Sequence, residues 1–279
     1  MMAVFNDMDQ DELDRQYDAR GTVDSIDPYL DAYARLTREA KQTCTVRENI
    51  SFGDHPDETF DLYMAGSNAP VFVFIHGGYW RALSKDESGF MAPCFVNQGV
   101  SVCIVNYSLA PAATLEQITD QVCRSVRFLQ SNAAELDIDP GRIFLCGTSA
   151  GGHLAAMVLS EENIDGPPLA GFSLISGLFD LEPVRLTAPN EWLDLTRESA
   201  RCCSPQFLMP RRQAPVQIAW AGRDTDEFKR QSRDYAALLK KHGFLVEAQE
   251  ISDRNHFDII LDLTDPSRPL TKHVLGVVG

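Results

Sequence analysis

The sequence predicts an α/β fold, with a mostly parallel central sheet, helices on both faces and a small helical cap. Three observations carry this reading. Val71-Phe72-Val73-Phe74-Ile75 is a continuous apolar run, the pattern of a strand buried on both faces. Similar runs alternate with helix-like stretches along most of the chain, which implies parallel strands joined by crossover helices. Finally, the apolar run Arg142-Ile143-Phe144-Leu145-Cys146 leads into Gly147-Thr148-Ser149-Ala150-Gly151-Gly152-His153 and then the small-residue run Leu154 to Leu159, which reads as strand, sharp turn and helix. At 279 residues the chain can bury a substantial core. We expect one domain, 1–279, with no internal repeat, low-complexity tract or convincing boundary.

In chain order, residues 1–30 carry eight acids against two arginines, and Tyr29 to Lys41 is amphipathic. We expect this segment, 1–41, to wrap the main domain or roof the site. Thr43 to Phe52 and Thr59 to Met64 read as strands around the turn-rich Gly53-Asp54-His55-Pro56-Asp57, an antiparallel hairpin at a sheet edge. After Val71 to Ile75 come a helix over Ser84 to Gln98 and a buried strand over Val100 to Tyr107. Leu115 to Ser131 places Ile118, Val122, Val126 and Leu129 on one helical face. Gly171 to Ser176 and Val216 to Ala221 are strands, Glu227 to His242 a helix and Phe244 to Ile251 the last strand. Between Gly177 and Pro215 lies a long irregular stretch rich in proline, arginine and acids, expected to fold into cap helices over the site.

Composition narrows function by exclusion. With 44% hydrophobic and 23% charged residues the chain has a globular make-up. Its longest aliphatic or aromatic run is far too short to cross a bilayer. Met1 to Asp7 lacks the basic-then-apolar order of a signal peptide, so we expect a cytoplasmic protein. Twenty-five basic against 40 acidic residues give a formal charge of −15, which disfavours nucleic acid and anionic membranes as partners. Nothing in the sequence specifies an oligomeric state. The seven cysteines form no C-x-x-C pair and are read as reduced thiols, with Cys103 and Cys146 in buried strands and Cys202 beside Cys203. No histidine or carboxylate cluster has metal-ligand spacing, and the glycines of 147–152 match no dinucleotide or P-loop fingerprint. We therefore expect a site without metal or cofactor.

The chemistry centres on Ser149. A glycine-flanked serine between strand and helix describes a nucleophile elbow, where only residues without a Cβ fit at Gly147 and Gly151. A serine hydroxyl needs a base, and the base needs an acid to hold its tautomer. Of the histidines after His153, His242 ends a surface helix and His273 lies in the tail, whereas His256 follows the last strand and can return to the top of the sheet. Asp224 follows Val216 to Ala221 through a short turn and is the expected acid. Asp226 reads better as a residue complementing the helix dipole, and Asp180 is the alternative acid. Backbone amides of Gly77, Gly78 and Ala150 suit an oxyanion hole. His76 and His153 are read as structural. Tyr79, Trp80 and Trp192 could wall a flat acyl substrate, although each could equally pack the loop and cap.

These motifs resemble the hormone-sensitive-lipase-like branch of the α/β-hydrolases, and within it the kynurenine formamidases (arylformamidases). The resemblance rests on His76-Gly77-Gly78-Tyr79-Trp80, Asn106-Tyr107-Ser108-Leu109-Ala110-Pro111 and Gly177-Leu178-Phe179-Asp180-Leu181-Glu182-Pro183. It extends to Thr114 through Val122, to Glu227-Phe228 with Arg230-Gln231-Ser232, and to Asn255-His256-Phe257-Asp258. It implies a triad of Ser149, Asp224 and His256, and hydrolysis of a formyl aryl amide such as N-formyl-L-kynurenine, a step of tryptophan breakdown. A general short-chain carboxylesterase with the same triad is the alternative. For a substrate carboxylate the sequence offers Arg81, Arg185 and Arg223.

Overall fold

The computed structural model describes residues 3–161, 166–211 and 213–278. Met1, Met2, Arg212 and Gly279, which fall within ranges read from the sequence, lie outside the described residues. Eight strands form one sheet: β1 (Val46–Ser51), β2 (Thr59–Tyr63), β3 (Ala69–Ile75), β4 (Ser101–Val105), β5 (Ile138–Thr148), β6 (Gly171–Ile175), β7 (Val216–Ala221) and β8 (Val246–Ile251). Their order is β1-β2-β4-β3-β5-β6-β7-β8. The β1–β2 and β2–β4 pairs are antiparallel, and every later pair is parallel.

Alternation along the buried strands feeds two cores. Val71, Val73 and Ile75 of β3 join Cys103, Val105, Ile143 and Leu145 on one face, against the helices Leu115–Ser131, Ala150–Ser160 and Asp226–Lys241. Phe72 and Phe74 point to the opposite face with Val102, Ile104 and Phe144, covered by the helices Asp27–Thr43, Ala92–Val96 and Pro269–Val278. On that side Phe72 stacks on Phe95 with centroids 4.3 Å apart. The helix Leu115–Ser131 starts where its sequence says it should. Thr114 and Gln117 form a reciprocal capping box that satisfies two orphan amides.

From β3 the chain moves to β4 on one side, then crosses to β5 on the other. The carboxyl ends of β3 and β5 therefore flank a switch point, where open parallel sheets hold their ligands. Ile75 pairs with Gly147 there, so the His76 loop and Ser149 emerge side by side.

One expectation needs correction. Ser84 to Gln98 is not one helix but a 3-10 turn, Lys85–Glu87, and a short helix, Ala92–Val96. Gly89, between them, has no room for a Cβ against the Tyr63 hydroxyl, and Pro93 can sit only in a first helical turn. The N-terminal segment 1–41, read as helical, holds the helix Gln10–Tyr17 and most of Asp27–Thr43, and the helix Pro269–Val278 adds to the elements read from the sequence. Residues 177–211 carry three short helices, Glu182–Arg185, Asn190–Leu193 and Arg197–Cys202, and one 3-10 turn. Among the described residues no helix is long and apolar enough to cross a membrane.

A buried ion cluster fastens the helix Asp27–Thr43 to the antiparallel edge. Asp61 of β2 is fully buried, with Lys85 Nζ 3.0 Å from one oxygen and Lys41 Nζ 3.0 Å from the other. Removing the shared carboxylate leaves the buried Lys85 ammonium with only the exposed carboxylate of Asp86, 2.8 Å away. We expect Asp61→Asn to lower stability by about 3 kcal/mol, and Lys41→Met by less than half of that. Urea unfolding of the two variants checks the ranking; equal losses would show that burial of Lys85 does not set the cost.

Candidate active site

Ser149 sits at the tip of the turn between β5 and the helix Ala150–Ser160, with φ 53° and ψ −118°. The strain is held by close backbone packing: a Cβ on Gly147 would lie 2.1 Å from the Gly151 carbonyl oxygen. Ser149 N–H donates to Ile175 O at 2.8 Å, tying the elbow to β6.

Asp224 and His256 come together at the ends of β7 and β8. His256 Nδ1 lies 2.7 Å from Asp224 Oδ1. Because that carboxylate oxygen accepts, Nδ1 carries the proton, and a neutral ring leaves Nε2 as its acceptor. The second oxygen of Asp224 accepts from Ser176 Oγ at 2.6 Å and from Ala221 N–H at 3.0 Å. Both oxygens are thus satisfied at a residue only 5% exposed. His256 and Ser149 face one cavity of about 570 Å³.

The histidine loop is fixed by local polar bonds and by the N-terminal segment. Asn255 Oδ1 accepts the amides of Phe257 and Asp258 at 2.9 and 3.0 Å, and Asp258 Oδ1 accepts that of Asn255 at 2.7 Å. Tyr29 accepts from Asn255 Nδ2 and stacks on Phe257, and Tyr33 donates its hydroxyl to Phe257 O.

The loop after β3 runs beside the serine. A Cβ on Gly77 would stand 3.3 Å from Ser149 Cβ, and Gly78 has φ +101° with no room for a side chain against Ala82. Among the described residues no acceptor takes the amides of Gly77, Gly78 or Ala150. His76 supports the loop by stacking on Tyr107 at 4.2 Å, and Tyr107 donates to His76 O at 2.8 Å. His153 lies behind the elbow, with Nε2 2.7 Å from Cys203 O.

Tyr79 and Trp192 line the cavity, and Trp192 Nε1 donates to Tyr79 O at 3.0 Å. Trp80 does not reach the cavity. It is fully buried, its indole edge-on to the His153 ring at 5.0 Å, so the wall expected from it is a packing contact instead. Asp180 is also away from the cavity: its Oδ1 accepts Glu182 N–H at 3.0 Å, at the start of a short helix. Arg185 pairs with Glu182 at 2.8 Å, Arg223 is not on the cavity wall, and Arg81 is. Sequence reasoning missed Ser176, for which its place directly after β6 was the available signal. It also missed Asp14, Asp18 and Arg20, which the unanticipated N-terminal turn brings onto the cavity wall.

Comparison with known proteins follows the same lines. The BD-FAE family model matches residues 60–170. The kynurenine formamidase of Danio rerio is 34% identical over 295 residues, spanning 100% of this chain and 99% of its own length. This chain belongs to the kynurenine formamidase family. The Drosophila melanogaster member is 25% identical over 262 residues, 86% of this chain and 87% of its own. A solved structure from Silicibacter sp. TM1040, described as a thioesterase, superposes with a TM-score of 0.82 at 28% identity, covering 96% of this chain and 98% of that one. An esterase from Pyrobaculum calidifontis shares the fold at 19% identity, with a TM-score of 0.72 and 96% of each chain covered. The family member described here is a hydrolase on the α/β-hydrolase fold.

Burial pushes both His76 and His153 down to about 4 from an ordinary 6.5. Between those values the unfolded chain takes up protons that the folded chain refuses. Stability supplied by the neutral rings is therefore complete above about 6.5 and is lost as pH falls towards about 4. We expect Tm to fall across this window. His153→Gln, which keeps a donor for Cys203 O, should flatten the fall in melting scans from pH 7 to 4; an unchanged slope would rule out His153 as a source.

Proposed function

We propose that this chain is a serine hydrolase that removes the formyl group from N-formylated arylamines, N-formyl-L-kynurenine foremost. The observation that carries the reading is the His256–Asp224 pair facing the same cavity as the strained Ser149. Full-length likeness to proteins named kynurenine formamidase supports the substrate.

In this mechanism His256 Nε2 takes the Ser149 proton as Oγ attacks the formyl carbon. Negative charge then develops on the formyl oxygen, and the amides of Gly77, Gly78 and Ala150 are its donors. One such donor is worth about 3 kcal/mol of transition-state stabilisation. As the C–N bond breaks, His256 returns the proton to the leaving arylamine. Water, deprotonated by His256, next attacks the formyl-enzyme, and formate leaves with Ser149 regenerated. Asp224 keeps Nδ1 protonated, so Nε2 is the basic nitrogen throughout. The aromatic and aliphatic wall, including Tyr33, Phe74 and Phe90, suits an aryl group.

The same groups would cleave a short-chain ester, and the esterase structures that share this fold favour that second reading. Seven cysteines with no disulfide among them fit a cytoplasmic setting.

We expect purified protein to hydrolyse N-formyl-L-kynurenine, with Ser149→Ala lowering kcat by at least about 10⁴-fold and Asp224→Asn by about 10⁴-fold. Product arylamine absorbance follows the reaction. Cleavage of phenyl acetate but not of the formamide would replace the formamidase reading by the esterase one, and full activity in Ser149→Ala would end both.

A further inference from the structure

The cavity has two chemically different parts. Tyr33 and Phe90 stack at 5.1 Å with Phe74 6.0 Å from Phe90, an apolar chamber suited to a ring. The other part of the wall carries Asp14, Asp18, Arg20 and Arg81. Arg20 and Arg81 are exposed, and among the described residues neither guanidinium has a carboxylate within ion-pair distance. The Arg81 guanidinium lies over the Trp192 ring, 4.6 Å from its centroid, and that ring is 6.3 Å from Tyr79. Asp18 belongs to the segment that Tyr79 grips from below, its hydroxyl donating to Tyr17 O at 2.6 Å. Acids and unpaired cations thus border the same aromatic rings, next to the loop that runs past Ser149.

A molecule of charge −15 repels simple anions, so cations left free on its cavity wall need a purpose. A guanidinium presents a planar fork matched to a carboxylate, and carboxylates accept from an ammonium. Neighbouring charges of both signs complement a zwitterion.

We propose that this wall is an α-amino-acid subsite. Arg20 and Arg81 take the α-carboxylate of the substrate, Asp14 and Asp18 its α-ammonium, and the aryl ring enters the Tyr33–Phe90 chamber. The subsite makes the enzyme select acyl arylamines with a zwitterionic arm over neutral ones. This inference rests on the arylformamidase reading and deepens it.

The test is a ratio: kcat/KM for N-formyl-L-kynurenine divided by that for 2-formamidoacetophenone, which keeps the formamide and aryl ketone but lacks the amino-acid arm. The wild-type ratio should be well above one. Arg20→Gln and Arg81→Gln should each reduce it about tenfold, Asp18→Asn should also reduce it, and Arg20→Glu should bring it close to one. Arg38→Gln, in the same N-terminal segment but off the cavity, should leave the ratio at its wild-type value. A wild-type ratio near one, or a ratio unmoved by the arginine and Asp18 variants, overturns the subsite. If the wild type cleaves neither formamide but does hydrolyse phenyl acetate, the formamidase reading is what fails. The same variants are then read on O-acetyl-ortho-tyrosine against o-cresyl acetate. A preference for the zwitterionic ester that disappears in the arginine variants keeps the subsite, and no preference removes it.

Discussion

The structure depends on one backbone contact more than on any other. A Cβ at Gly151 would lie 2.0 Å from the Ile75 carbonyl oxygen, so the helix after the elbow is seated directly on the end of β3. That approach sets the height of Ser149 above the sheet and brings the Gly77 amide alongside it. It also leaves the Ala150 amide, at the first turn of the helix, without an intrahelical partner. The proposed nucleophile and oxyanion donors are consequently positioned by the same packed backbone.

The His256–Asp224 pair, proposed as base and acid, comes from the other half of the sheet, and the N-terminal segment joins the two halves. Tyr17 donates to Glu227 Oε2 at 2.9 Å and accepts from Gln231 Nε2 at 2.8 Å. Gln16 O accepts from Thr225 Oγ at 2.6 Å, next to Asp224 in the chain. On the opposite side Tyr79 reaches the Tyr17 carbonyl, while Tyr29 and Tyr33 hold the loop of His256. The segment lines the cavity and is hydrogen-bonded to Tyr79, to the helix Asp226–Lys241 and to the His256 loop. A shift of this segment would therefore be felt by the loop after β3 and by the His256 loop together.

Much of this was legible in the sequence because it rests on local rules. The strand β3 is an unbroken apolar run and β5 contains one from Ile143 to Cys146, the elbow demands glycines at fixed spacing, and the capping box marks the start of Leu115–Ser131 to the residue. Ser149, Asp224 and His256 could be picked out by their positions after strands. The contributions that escaped are those made across long sequence separations. Gln10–Tyr17 is short and charged, and it is held by tertiary bonds to residues some 210 positions away, as with Tyr17 and Glu227. Ser176 has no motif of its own; its role follows only from β6 lying beside β7. Glu227 and Gln231 were visible as a motif, but their work, tying the N-terminal helix and the Phe179–Asp180 loop, was not.

Trp80 shows why a residue beside an oxyanion loop need not touch the substrate. Tyr79 and Trp80 have φ values of 51° and 54°, a left-handed pair that costs about 1–3 kcal/mol for each non-glycine residue. Glycine would remove the cost but also the means of holding the turn. Burying the indole carbons contributes about 2–3 kcal/mol, comparable with the strain at its own backbone, and the buried Nε1–H, which has no acceptor among the described residues, offsets part of that gain. Trp80 O accepts from Ala110 N–H at 2.7 Å, and Tyr79 O accepts from Trp192 Nε1, so both peptide units are pinned. The tryptophan is spent inward, on the shape of the loop, and this leaves the outward face to Tyr79. Cavity lining and loop shape are thereby divided between two adjacent aromatic residues.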